Sequence, residues 1–300
     1  MTDDGRGLRP AGRSLLRDRL LTAATRVVGY PRVAVARRVL DRFGAADGGL
    51  LAAGVAYNAV LALIPIGLLA TGFAGIVLSD AKSRADVIAA VGAFLPPLVG
   101  VLDEIVGGLS KASPSISLVG LVLAAWGTSR LFAALESAIA QMDSGAPRRS
   151  LVRRTVRRLG SIAILAAIVI AALVATPTLV IAVEISGEHG AARPLLDVLL
   201  ATVPLSLAAI ALATIYRLLP LTRPSWRAIG PAAVFGAIAL VLVTRVFVFV
   251  APRIFGANVV YGTLGAILVG LAWLNIMFTL VLIGAAWVRE RTTVAEAPVA

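Results

Sequence analysis

IFGANVVYGTLGAILVGLAWLNIMFTLVLIGAAWV, residues 254–288, contains no Asp, Glu, Lys, Arg or His. The hydrocarbon core of a bilayer needs about 20 apolar residues at about 1.5 Å of helix rise each, so this stretch crosses it with turns to spare. Residues 48–79 are also free of charge. Working outward from these two runs, the pattern predicts an all-α polytopic membrane protein with six transmembrane helices at about 50–78, 116–141, 160–183, 195–219, 228–250 and 260–287. A 59% hydrophobic content and a mean hydropathy of +0.94 exceed what a soluble domain of 300 residues hides in a core.

The formal net charge of +12 suggests nucleic-acid binding in a soluble protein. Its distribution here argues instead for membrane orientation, and no nucleic-acid partner is expected. Twenty-one basic residues fall before residue 48, at 148–158, at 217–227 and after residue 288, whereas Lys82, Arg84, Lys111, Arg193 and Arg253 occupy the alternate connections. The positive-inside rule then places both termini in the cytoplasm, which agrees with an even number of spans.

Three segments follow: a basic arm at 1–47, the six-helix domain at 48–289, and a cytoplasmic tail at 290–300. The arm has neither the short apolar core nor the small-residue cleavage site of a signal peptide. Ala36, Val39, Leu40 and Phe43 recur at helical spacing with Arg37, Arg38, Asp41 and Arg42 between them. An amphipathic helix lying along anionic inner-leaflet headgroups is expected, each basic residue gaining about 1 kcal/mol near the surface. Between spans one and two, residues 80–115 are expected to hold two short external helices separated at Pro96-Pro97.

Cysteine is absent and the single histidine, His189, sits in a short connection, so no metal site and no cofactor is expected. No Gly-rich loop followed by Lys-Ser or Lys-Thr is present, which argues against ATP hydrolysis by this chain. The spans also offer no nucleophile, base and orienting group together, so the protein is expected not to be an enzyme.

Function is sought where ionisable groups break the apolar pattern, because each costs about 2.5–3.5 kcal/mol in hydrocarbon on insertion scales. Arg130 lies about 20 Å below the outer end of span two by helix rise, and Glu136 lies nearer the cytoplasmic face. Tyr57 and Asn58 of span one and Asn275 of span six fall in the same inner half, and the five are expected to form one polar cluster. Asp197 and Arg245 are placed near the outer surface, within reach of an ion pair. Pro65, Pro177 and Pro204 are expected to kink their helices. Gly262, Ala266 and Gly270 make a small-residue stripe for close helix approach.

Several segments resemble the YihY/BrkB family of bacterial inner-membrane proteins, once labelled ribonuclease BN. They are Ala56-Tyr57 followed by Leu61 to Pro65; Trp126 with Ser129-Arg130 and Leu131-Phe132; and Tyr216-Arg217, Pro220, Trp226-Arg227 and Gly230. The last span adds Tyr261 to Gly265, Trp273 and Gly284-Ala285. The likeness runs from Gly48 to Arg289, with two departures. Ala62 stands where Ser is usual, and Ala286 stands where the family pattern carries Glu, with Glu290 one turn later. The resemblance implies a multi-pass plasma-membrane protein, linked with virulence-related resistance in some members and proposed to export solutes in others. It does not imply a nuclease, since no carboxylate or histidine cluster holds divalent ions here.

The functional expectation is therefore a transporter of a small, anionic solute, with a non-transporting scaffold for envelope assembly as the alternative; the sequence leaves the oligomeric state open. Reporter fusions at residue 150 and at the carboxyl end are expected to give the cytoplasmic signal, and an external signal at either position would reverse the depth assignments.

Overall fold

The computed structural model describes residues 31–77, 114–143, 193–220, 224–255 and 262–296, together with 160, 163–165, 167, 168, 171, 175, 178, 179, 182 and 183. Everything regular among them is helix. In chain order the helices are α1 (Pro31–Ala45), α2 (Gly48–Val77), α3 (Pro114–Met142), α4 (Arg193–Leu218), α5 (Trp226–Phe255) and α6 (Gly262–Glu296). The described positions from 160 to 183 are helical as well, where the third span is predicted. The arm before residue 31, the external segment from 78 to 113, the arginine cluster at 148–158, Pro177 and His189 lie outside the described residues.

Three stretches are long and apolar enough to cross a membrane on their own: Arg193–Leu218, Trp226–Val250 and Ile267–Thr293. A fourth arises if Val33–Ala45 and Gly48–Leu63, bent by 64°, are taken as one broken span. The chain is thus an α-helical membrane protein.

The bend has a local cause. Asp47 has a φ of 51°, in the left-handed region that a short polar side chain tolerates best after glycine. The Ala46 N–H reaches the Arg42 carbonyl at 3.2 Å and the Asp47 N–H reaches Gly44 at 3.0 Å, which closes α1, while the Leu51 N–H bonds Asp47 at 3.0 Å and opens α2. A Cβ at Gly48 would lie 2.3 Å from the Phe43 ring, so only glycine lets that ring fold over the corner.

α6 touches α1, α2, α3, α4 and α5. At 35 residues it is about 52 Å long, against about 30 Å of hydrocarbon, so its last turns project beyond the bilayer core. The stretch predicted as a tail is therefore helical as far as Glu296. The larger core cluster joins Val39 of α1, Val55 of α2, Ile139 of α3, Tyr216 of α4, Ile229 of α5 and Leu282 of α6. A smaller one gathers Ala56 and Ala59 around Trp273, Leu274 and Met277.

α4 runs unbroken through Pro204, with the Thr202 and Ser206 hydroxyls donating to the carbonyls of Val198 and Val203 on either side, and α2 likewise continues through Pro65. One lost hydrogen bond does not end a helix whose other backbone groups have no water to turn to. Among the described residues, close helix approach is seen at Gly127, Gly236 and Gly284; the side chains of residues 262 and 266, in the small-residue stripe, lie outside the described ones. At Gly127 an added Cβ would lie 3.0 Å from the Ala62 Cα, so α2 and α3 cross almost backbone to backbone.

Gly127→Leu is expected to destabilise the protein by about 1–3 kcal/mol through overpacking, read as a lower unfolding midpoint in detergent. Gly54→Ala, with nothing within 4 Å of the added carbon, should leave that midpoint in place.

Candidate functional site

The charged residues that the fold brings together lie at the α1 end of the bundle. Arg38 and Arg42 are one turn apart on α1, so both reach the same partner. Arg38 Nε donates to Glu290 Oε1 at 2.5 Å and Arg42 Nη2 donates to Glu290 Oε2 at 3.3 Å. The carboxylate is nearly enclosed at 9% side-chain exposure, Arg42 is at 24% and Arg38 at 49%. An enclosed carboxylate is stable only when hydrogen-bonded to opposite charge. Glu290 therefore fastens α1 to α6, with Val39 buried beneath it. One residue earlier, Arg289 Nε lies 2.9 Å from Asp143 Oδ1 at the end of α3, in contact by distance although the N–H axis does not point at that oxygen.

This docking revises the expected amphipathic face of α1. Val39 is buried and Val35 and Phe43 pack against the larger core, whereas Leu40 is 55% exposed and Ala36 is exposed too. The apolar stripe is split between protein and surroundings because the arginines on the same turn are drawn to Glu290.

Beside this cluster, Tyr216 is fully buried and its hydroxyl donates to the Val281 carbonyl of α6 at 3.1 Å. The ring fits because position 284 is glycine: a Cβ there would lie 2.0 Å from the tyrosine oxygen. Next in sequence, the Arg217 guanidinium sits 5.3 Å from the Trp226 ring centroid and donates to the Pro224 carbonyl, binding the α4–α5 connection to the start of α5. Tyr216 and Arg217 thus tie the end of α4 to α6 and to the start of α5.

The residues singled out by sequence are placed differently. Arg130 is exposed on α3 with its guanidinium 5.1 Å from the centroid of the Trp126 ring, itself 53% exposed. Contact of Gly127 with Ala62 sets Arg130 level with Ala59, within a turn of Tyr57 and Asn58, as the depth argument expects. The five residues nevertheless do not join. Among the described residues no hydrogen bond or ion pair links Arg130 to Tyr57, Asn58, Glu136 or Asn275. Tyr57 is 58% exposed, the Asn58 amide donates to the Gly54 carbonyl at 2.8 Å, and the Asn275 side-chain oxygen is buried without a hydrogen-bond partner. Short polar side chains on a helix bond their own turn more readily than they reach across a bundle. Asp197 pairs not with Arg245 but with Arg193, both carboxylate oxygens lying 3.2 Å from Nε, because the i,i+4 spacing on α4 provides a nearer cation. Arg245 is exposed on α5.

Sequence reasoning gave Asp143 no role and treated Arg289 only as part of a basic tail. The available signal was the abrupt return of charge at Arg289-Glu290 after the long apolar run, matched by Asp143 at the end of span two.

Apolar helices packed around a long central one, closed at one end by paired charges, define a polytopic α-helical membrane protein. The family model described as Virulence factor BrkB matches residues 39–299, and the chain belongs to that family. Comparison with curated proteins and with solved structures returns no match.

Glu290→Gln removes the charge that holds both arginines and is expected to cost about 1–3 kcal/mol, given the partial exposure of Arg38, with faster proteolysis within α1 as the readout. Gly284→Ala should lower the unfolding midpoint, and Tyr216→Phe in the same chain should recover part of the loss; strictly additive effects in a double-mutant cycle would contradict the contact.

Proposed function

We propose that the chain is a multi-pass protein of the bacterial inner membrane, crossing it six times with both termini in the cytoplasm, and that it carries a small anionic solute across. The observation that carries this assignment is Arg130, an exposed guanidinium midway along an apolar helix. Trp126 is 53% exposed, and a cation–π contact at an exposed site is worth about 0.5–1 kcal/mol, whereas a cation in hydrocarbon costs about 2.5–3.5 kcal/mol. The ring alone does not offset that cost, so the face of α3 bearing Trp126 and Arg130 has to meet water or an anion. A guanidinium matches carboxylate and phosphate through paired N–H donors, which makes an anion the favoured solute. Tyr57 and Asn58 at the same level add hydroxyl and amide groups to the path. No chemical transformation is proposed, because the spans supply no nucleophile with a base beside it, and neither metal nor cofactor is required.

A non-transporting scaffold is the second reading, favoured by the outer surface of α1, where Arg37, Leu40 and Asp41 remain exposed although the helix is docked.

Anion efflux from proteoliposomes containing the full chain is expected to fall at least about tenfold in Arg130→Ala and to return in part in Arg130→Lys, which keeps the charge but not the paired donors. Equal efflux from wild type and Arg130→Ala would remove Arg130 from the path, and absence of efflux together with a stable co-purifying partner lost on deletion of residues 1–47 would support the scaffold.

A further inference from the structure

A cleft of about 450 Å³ opens between α1, the end of α3 and Glu290, lined by Arg38, Asp41, Arg42, Ala45, Ala46, Gln141 and Glu290. Its size falls within the range of about 300–1,000 Å³ typical of small-molecule sites. We propose that this cleft binds a phosphate group, that of a phospholipid headgroup at the inner leaflet or of a free phosphate anion.

The charges support this assignment. Glu290 takes Nε of Arg38 and Nη2 of Arg42, so a single carboxylate is shared by two guanidiniums, whose other N–H groups are not used by it. Asp41 on the rim is 3.7 Å from Arg37, both strongly exposed, and its charge is directed to that neighbour. Arg42 Nε is buried without a hydrogen-bond partner. Arginines already held through one edge by a carboxylate are ordered, so little side-chain entropy is lost when the free edges meet an anion. Ala45 and Ala46 keep the space open, and the Gln141 amide supplies a neutral donor.

Position favours the lipid source. α1 leaves α2 at 64°, which turns it toward the membrane plane when α2 runs near the normal, and Leu40 and Leu50 stand 55% and 75% exposed at that level. Apolar side chains outside and a cationic cleft within are what a headgroup with its acyl chains requires. The inference rests on the cytoplasmic placement of α1 and on no part of the transport assignment.

The test uses the full-length chain, purified and stripped of lipid in a neutral detergent. It is titrated with dihexanoyl phosphatidylglycerol and separately with inorganic phosphate, with bound ligand counted by native mass spectrometry. One saturable site for a phosphate-bearing probe is expected. Arg38→Gln, which leaves the Arg42–Glu290 pair in place, and Ala45→Trp, which fills the cleft without touching an ion pair, should each weaken it about tenfold. Saturation by the lipid without displacement by phosphate assigns the headgroup; saturation by phosphate that displaces the lipid assigns the free anion. Absence of a saturable site for both probes overturns the proposal, as does affinity unchanged in both Arg38→Gln and Ala45→Trp when their unfolding midpoints match wild type.

Discussion

The contact of α6 with each of the other five helices is the constraint from which the remaining arrangement follows. Of its apolar stretch 39% is buried, against 6% and 11% for the corresponding stretches of α4 and α5, which therefore present most of their surface to their surroundings. A central helix in a membrane cannot rely on the hydrophobic effect for its neighbours, because lipid tails are as apolar as leucine. It depends on close packing and on the few polar contacts that lipid does not supply. α6 has both in sequence order: Trp273, Leu274 and Met277 packed against alanines of α2, then Gly284 admitting the Tyr216 ring, then Arg289 and Glu290 facing opposite charges. The helix is thus held by packing in its middle and by charge at its end.

The placement of the carboxylate near the end of α6 bears on the same packing. Ala286 is wholly buried in the larger core. Glu290 is one turn further, about 6 Å along the axis, at the level of Arg38 and Arg42. A carboxylate at 286 would sit among apolar side chains of the core cluster and need a partner there; at 290 it needs only to meet α1. The sharp corner at Asp47 brings α1 to that level, and the glycine after it lets Phe43 seal the turn. A carboxylate placed at position 286 without a compensating cation would be expected to disturb the packing of α6.

Helix positions were legible because they depend on one property, continuous apolarity, that is local in sequence. α2, α3, α4 and α5 all lie where the charge-free runs predict them. Depth was legible for the same reason: the level of Arg130 with Tyr57 and Asn58 follows from counting residues along antiparallel helices. Facing was not. Hydropathy counts do not say which side of α3 meets α2, and a helix apolar all round has no amphipathic stripe to orient it. Hence Arg130 and Asn275 share a depth without sharing a contact, and Asp197 met the cation four residues away. The Arg38–Glu290 pair spans almost the whole chain, and nothing local marks either member as the other's partner.

Arg130 and the cluster around Glu290 differ in what their surroundings demand. Glu290, enclosed and bonded to two guanidiniums, is satisfied as it stands, which suits a residue that fixes one helix to another. Arg130 is exposed over an aromatic ring that compensates only part of its desolvation, which leaves it responsive to whatever anion or water reaches that face. A charge whose needs are met within the fold contributes to architecture; one whose needs are met from outside it is available for exchange. By that criterion Glu290 holds α1 against the bundle, whereas Arg130 is a charge that the surroundings of α3 have to satisfy.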